Sequence, residues 1–127
     1  MARLVEMQDR ALATLAPGRP MQNLVDRLEA DIDAYCPYSR ASDPFRFQSC
    51  HALGINYAEP SCVTALSPDR DRGADANLPL IRENMIFEIH PNFTLPELGH
   101  VCIGDMARVT ATGAEWITNT PRELILL

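Results

Sequence analysis

The sequence predicts an α+β domain in which two N-terminal helices lie on one face of a curved antiparallel sheet. Two observations predict this architecture. Apolar residues recur at helical spacing over the first 35 residues, and segment 83–112 contains two runs rich in β-favouring residues, separated by prolines and a glycine. Because an amphipathic helix needs an apolar surface to lie on, the sheet supplies the natural partner for both helices.

The first helix is predicted over residues 2–16, where Leu4, Val5, Leu12 and Leu15 stand close to helical spacing. The sequence PGRP at 17–20 ends it, since proline lacks a backbone donor and glycine accepts a left-handed conformation. A second apolar stripe runs from 21 to 35, opposite acidic and basic residues. It predicts a second amphipathic helix.

The strands follow in the C-terminal half. Runs 85–89 and 100–110 read as two strands, and 114–118 as a third after a turn at Gly113, which gives an antiparallel meander. Between the first two, PNFTLPELG is expected to leave the sheet and return. Segments 36–44 and 67–77 are rich in turn formers and are predicted to be surface loops.

Length and composition limit the classes of protein to which this chain can belong. A chain of 127 residues makes one domain with a sizeable core, spanning 1–127. The net charge is -6, the basic residues are scattered, and no apolar run approaches the roughly 18 residues of a membrane helix. We therefore expect no nucleic-acid or membrane partner. The opening MARLVEMQDR lacks the apolar core of a signal peptide, so a cytoplasmic location is expected.

The four cysteines form no C-x-x-C pair, so a zinc ribbon or thioredoxin-like motif is not expected. In a chain without an export signal, reduced thiols that pack as small hydrophobic groups are the default. The sequence leaves open a disulfide between Cys50 and Cys62.

Four segments carry a resemblance to a known family: FQSCHALGINYAEPSC, ENMIFEIHPNF, GHVCIGDMARVTATGAEWIT and PREL. In this order they resemble the C-terminal half of the pita-bread metallopeptidases, which include creatinase, Xaa-Pro aminopeptidases and methionine aminopeptidases. The early APGRPMQNLVDRLEADI also resembles the turn and long helix of that family. The resemblance implies a partial pita-bread fold.

The resemblance also implies a two-metal site, built in the family from two aspartates, one histidine and two glutamates. The metal-binding histidine corresponds to His51, whereas a second histidine of the peptidases falls on Ala58. The two glutamate positions fall on His90 and Gly104, and the aspartate-bearing strands would precede residues 2–16. We therefore expect that this chain does not assemble the two-metal site by itself and lacks peptidase activity on its own.

His51 and His90 are the candidate catalytic residues and, with Asp105, the candidate metal ligands. Two imidazoles and a carboxylate suit a single divalent ion such as zinc, manganese or cobalt, and Glu59 or Glu88 is an alternative third ligand. Because side chains alternate along a strand, Glu88 and His90 are expected to project to the same side. The alternative interpretation has no cofactor, with both histidines hydrogen-bonded in a former active-site cleft.

Glu59 and Arg108 are candidate substrate-binding residues. Glu59 precedes a proline, which is also typical of a residue that fixes a turn. Arg108 offers a planar fork to a carboxylate, although an exposed arginine on an antiparallel strand is the commoner case.

Three functions follow from these expectations. The first is a metal-site-degenerate pseudoenzyme that acts as a binding or assembly module, with a small molecule or peptide as its ligand. The second is half of a metallohydrolase, completed by a homodimer partner, by a second chain or by an N-terminal part. The third, suggested by the resemblance to creatinase, is a metal-free hydrolase that uses His51 and His90 as general acid and base.

Overall fold

The computed structural model describes residues 1–36, 48–60 and 78–125. Two helices come first, and six short strands follow in these parts of the chain. Their bounds are α1 Ala2–Leu12, α2 Gln22–Tyr35, β1 Cys50–Leu53, β2 Ile86–Ile89, β3 Asn92–Leu95, β4 Gly99–Cys102, β5 Asp105–Val109 and β6 Ala114–Trp116.

Both predicted helices are present, but α1 ends at Leu12, four residues earlier than the apolar spacing predicts. The chain tightens there, because the amides of Thr14 and Leu15 donate to carbonyls only three residues back. Leu15 is nevertheless buried. Its apolar spacing therefore reflects core packing after the helix has ended.

Four strands form one antiparallel sheet in the order β1-β2-β5-β6. The predicted single strand 100–110 is wrong, since Ile103 and Gly104 separate β4 from β5. β4 pairs instead with β3, and the two make a separate hairpin out of the segment that was expected only to leave the sheet. The β-favouring composition continues from β4 into β5, so composition alone does not show where one strand ends and the next begins.

The helices pack on one face of the four-stranded sheet, as predicted. The register aligns Cys50 with Ile89 and Ala52 with Phe87, and it aligns Phe87 with Ala107. All of these side chains are buried on the helix-facing side. The core that the two layers share is Leu4, Met7, Ala11, Leu15, Met21, Leu24, Val25, Leu28, Ile32, Cys50, Ala52, Ile81, Phe87, Ile89, Phe93, Ala107 and Val109.

Several sequence predictions lie outside the described residues. They are the 67–77 loop, most of the 36–44 loop, and Cys62 with its disulfide alternative. Neither of the helices in the described part of the chain combines the length and the apolar character required to cross a bilayer.

Candidate functional site

The candidate site lies on the sheet face that points away from the helices. The register places His51 of β1 opposite Glu88 of β2. His90 follows β2 directly, and its amide donates to the carbonyl of Ser49 at 2.8 Å, which ties it to the start of β1. Since Glu88 and His90 are two residues apart in an extended segment, both side chains reach the same side as His51. The sequence predicted that Glu88 and His90 project to the same side, and the register is consistent with this prediction.

His51 is fully buried, and its two ring nitrogens have different surroundings. Nδ1 lies 3.1 Å from the carbonyl oxygen of Ala52. A carbonyl oxygen only accepts, so this contact places a proton on Nδ1. Nε2 lies 3.2 Å from Oε2 of Glu88.

The ring of His90 lies edge-on to that of His51, with 5.2 Å between the ring centroids. Its Nε2 atom is buried and has no hydrogen-bond partner. Burial, with a smaller contribution from His51, lowers the pKa of His90 from 6.5 to about 4. His90 is therefore neutral near pH 7 and holds a lone pair on one ring nitrogen.

Gly104, at the second glutamate position implied by the family resemblance, borders the same site. A Cβ atom built at Gly104 would lie 3.1 Å from Oε1 of Glu88 and 3.6 Å from Cβ of His90. The carboxylate of Glu88 thus occupies the space in which a side chain at position 104 would begin. The residues present do not fit the family's two-ion centre at this position, because Gly104 supplies no ligand.

The structure separates Asp105 from the histidines. Asp105 pairs with Ile89 in the register, so its side chain points toward the helices. Its carboxylate accepts hydrogen bonds from Nε2 of Gln8 at 3.0 Å and from Oγ1 of Thr118 at 2.9 Å. These contacts make Asp105 a link between α1, β5 and the segment after β6, and its predicted part in a metal site has no support from its placement.

The two predicted substrate-binding residues lie elsewhere. Glu59 is exposed, and its Oε2 accepts from the amide of Asn56 at 3.2 Å within the turn that follows β1. Arg108 donates to Oε1 of Glu115 at 2.6 Å in an exposed cross-strand pair. The structure does not bring these two residues to His51 and His90 through any contact described, and their role in substrate binding stays a prediction.

A cavity of about 300 Å³ opens beside His90. Its lining residues are Gln48, Tyr57, His90, Asn92, His100 and Cys102. The ring of Tyr57 also lies 4.6 Å from that of His51, and the amide of Asn92 donates to the carbonyls of Gln48 and His90. Sequence reasoning missed Tyr57 and Asn92. The only available signal was their closeness in sequence to the two histidines.

Within the described ranges, no three His, Cys, Asp or Glu side chains already surround a common position suited to a metal ion. The site thus consists of the fully buried His51 and the half-buried His90 with one adjacent carboxylate, next to a small cavity. It provides two imidazole rings, one carboxyl group and room for a small ligand.

An antiparallel sheet with two helices on one face and His51 on the other is the arrangement of a partial pita-bread domain, as the family resemblance implies. The family model described as Metallopeptidase family M24 matches residues 1–111. The chain belongs to metallopeptidase family M24.

The relatives identify the branch of the family that the chain resembles. It is 36% identical over 85 residues to the putative dipeptidase YkvY of Bacillus subtilis, covering 67% of this chain and 21% of that protein. It is 28% identical over 122 residues to the Xaa-Pro dipeptidase of Pyrococcus furiosus, covering 96% of this chain and 31% of that protein. The chain therefore spans less than a third of the length of these relatives.

Solved structures confirm the partial pita-bread fold. The prolidase from Pyrococcus horikoshii superposes with a TM-score of 0.72 at 26% identity, over 98% of this chain and 32% of that one. The Xaa-Pro dipeptidase from Bacillus anthracis gives a TM-score of 0.72 at 23% identity, over 99% and 32%. These enzymes share the fold of the described residues.

Proposed function

We propose that this chain is a remodelled domain of the Xaa-Pro dipeptidase type that binds a small molecule or peptide and does not hydrolyse Xaa-Pro dipeptides on its own. The observation that carries the proposal is the geometry at Gly104. Position 104 has no ligand atom, and Oε1 of Glu88 already stands 3.1 Å from where a Cβ would be.

Charge and coordination connect this geometry to function. A two-ion hydrolytic centre needs several carboxylates, because they hold both cations close together while water and the scissile carbonyl are activated. His90 offers one nitrogen where the family resemblance implies a two-oxygen ligand, and Gly104 offers none. Glu88 supplies a single carboxylate, so the negative charge at the site is smaller than a pair of divalent ions requires.

The cavity beside His90 supports the binding half of the proposal. Its volume of about 300 Å³ is at the lower end of small-ligand pockets. The ring of Tyr57 offers an apolar surface and His90 an imidazole, and both border the cavity. A short peptide or a small molecule of similar size, with one apolar group and one hydrogen-bonding group, matches this lining.

Two measurements on the purified chain test the proposal. Hydrolysis of the dipeptide Ala-Pro is followed with added Mn²⁺ or Co²⁺, with the Pyrococcus furiosus Xaa-Pro dipeptidase as positive control. Binding of the same dipeptide is followed by calorimetry. We expect no turnover by this chain and measurable binding that Tyr57→Ala weakens, while the surface variant Glu115→Gln leaves it unchanged.

Metal-dependent turnover that disappears in His51→Gln would overturn the proposed loss of peptidase activity. Absence of binding by Ala-Pro and by a panel of other short peptides would overturn the binding role. Far-UV circular dichroism of each variant ensures that loss of function is not loss of fold.

A second candidate is half of a metallohydrolase completed by another chain. The observation that favours it is the sheet face carrying His51 and Glu88, which neither helix covers and on which Met106 is 38% exposed. A homodimer partner or a second chain seated there would enclose the site and could bring further ligands. Sedimentation velocity checks the homodimer, and a single monomeric species at micromolar concentration would count against it.

A further inference from the structure

We propose that a second cavity, between α1, the end of α2 and the β3–β4 hairpin, binds a small carboxylate that has an apolar body, such as phenylacetate. Arg3 and Tyr35 are the groups that recognise the carboxylate. The site lies apart from the cavity beside His90, so the inference goes beyond the proposed function and does not depend on it.

The second cavity has a volume of about 340 Å³ and lies behind the hairpin. Side chains alternate along each strand, and the register pairs Phe93 with Val101 and Asn92 with Cys102. Phe93 and Val101 line the second cavity, whereas Asn92 and Cys102 line the one beside His90. The two cavities therefore lie on opposite faces of one hairpin and have no lining residue in common among the described residues.

The floor of the second cavity is apolar. Leu4 and Phe93 are buried, whereas Leu95 and Val101 of the hairpin are only partly buried, and all four line the cavity. A ring or a short alkyl chain placed among them would leave water and would cover the exposed parts of Leu95 and Val101, which favours binding. The volume is at the lower end of small-ligand pockets, so it suits a single ring and excludes a large molecule.

Two hydrogen-bonding groups stand together beside this apolar floor. Nη1 of Arg3 donates to Oη of Tyr35 at 3.4 Å, and the guanidinium carbon lies 4.8 Å from the centroid of the Tyr35 ring. Both residues line the cavity. The contact between cation and ring holds the guanidinium in place. Because arginine has five N–H donors and a hydroxyl also donates, the pair is able to bind both oxygens of one carboxylate.

The charges at the cavity favour an anion. None of the described residues that line it is acidic. Arg3 also pairs with Glu6 at 3.3 Å, but both side chains are largely exposed and such pairs are weak. Within the described part of the chain, both hydrogen bonds of Arg3 are made by Nη1, which leaves Nε and Nη2 to donate to a ligand. An amine in the same place would meet the like charge of Arg3.

Titration of the purified chain with phenylacetate tests the proposal. Calorimetry gives the stoichiometry and affinity, and backbone amide chemical shifts give the location. We expect one molecule per chain with a dissociation constant on the order of 1 mM or below, and shift changes centred on Leu4, Phe93 and Val101. Phenylacetamide, which has nearly the same shape without the charge, and the cation benzylammonium should each bind about 10-fold more weakly or worse.

Two variants test the two parts of the site. Arg3→Gln should weaken phenylacetate binding by about 10-fold and reduce the difference between phenylacetate and phenylacetamide. Val101→Phe places a ring in the cavity and should abolish binding of phenylacetate. The matched control is Arg82→Gln, which removes an exposed arginine that does not line this cavity and should bind phenylacetate as the parent chain does.

The possible results separate this inference from the proposed function. No phenylacetate binding by the folded chain at about 10 mM overturns the inference, and so do shift changes centred on Tyr57 and His90, because the ligand would then occupy the other cavity. Equal binding by the parent chain and Arg3→Gln overturns the part assigned to Arg3. Binding of Ala-Pro should be weakened by Tyr57→Ala and not by Arg3→Gln, so the failure of one proposal leaves the other standing. If Val101→Phe folds poorly by circular dichroism, the exposed substitution Arg3→Gln keeps the test decisive.

Discussion

Asp105 connects three parts of the chain through one buried carboxylate. It is 6% exposed, accepts from Gln8 of α1 and from Thr118 after β6, and Gln8 in turn accepts from Arg122 at 3.3 Å. Satisfied buried polar groups of this kind fix relative positions, and they are costly to break because the remaining partners lose their bonds. The carboxylate therefore belongs to the framework that holds the sheet against α1.

Replacing Asp105 by Ala should lower the free energy of unfolding by about 1–3 kcal/mol, because the hydroxyl of Thr118 loses its acceptor and the side-chain amide of Gln8 loses one of its three acceptors. Urea unfolding followed by circular dichroism measures the change. The control is Asp33→Ala on the exposed side of α2, which should change stability by less than about 0.5 kcal/mol. Equal effects of the two variants would contradict the framework role.

His90 makes the stability of the chain dependent on pH. Its pKa is lowered from 6.5 in the unfolded chain to about 4 in the fold, so the unfolded chain binds the proton first as the pH falls. The stability that neutral His90 contributes is fully present above pH 6.5, and it is lost as the pH falls to about 4. Within that window stability should fall by up to about 1.4 kcal/mol per pH unit.

Urea midpoints measured at several pH values across this window check the expectation. His90→Gln should flatten the dependence, whereas His100→Gln should preserve it. A slope that is the same in the parent chain and in His90→Gln would show that other groups cause the loss of stability.

At the scale of elements, α2 is held mainly by one buried apolar stripe. Leu24, Leu28 and Ile32 are each 0% exposed, stand at helical spacing and belong to the core that the helices share with the sheet. Asp31 adds a polar link, since its carboxylate accepts from Arg27 of the same helix and from Arg10 of α1. The apolar stripe removes much more surface from water than this single link, so it dominates the docking of α2.

Leu28→Ala should lower the free energy of unfolding by about 2–5 kcal/mol, since it removes buried methyl groups and leaves a cavity in the shared core. The matched control is Leu98→Ala at the tip of the β3–β4 hairpin, where the side chain is 80% exposed. We expect that control to change stability by less than about 0.5 kcal/mol. Denaturant unfolding of both variants measures the difference, and a Leu28→Ala cost below 1 kcal/mol would mean that α2 docks loosely.

At the scale of the whole molecule, one continuous core joins the two layers. It contains side chains from α1, α2, β1, β2 and β5 together with Phe93 of the hairpin. Trp116, the only tryptophan, packs partly buried against this core, and the guanidinium of Arg122 lies 5.0 Å from its ring centroid. A shared core implies that helices and sheet unfold together.

The intrinsic fluorescence of Trp116, which reports on β6, and circular dichroism of the helices should therefore give coincident unfolding curves in urea. Two separate midpoints would show that the helices leave the sheet first, contrary to the shared core. Leu98→Ala serves as the control, since an exposed substitution should leave the two curves coincident.

Much of this fold was predictable because its signals are local. Helical spacing predicted both helices, and β-favouring composition predicted strands near 85–89 and 114–118. The break between β4 and β5 was not predicted, since the residues on either side of Gly104 have strand composition and the separation depends on which strand each half pairs with. The family, and with it the partial pita-bread fold, followed from motifs spread over most of the chain.

By itself, the sequence determined that two amphipathic helices precede a sheet, that the chain has the motifs of M24, and that His90 stands at a strand end near His51 in the fold. Only the tertiary structure decided which carboxylate joins the histidines. Alternation within β2 relates Glu88 to His90, but the face of Asp105 depends on the register between β2 and β5. That register aligns Asp105 with Ile89, and a shift of one residue would have reversed the choice, because successive side chains of a strand point to opposite faces.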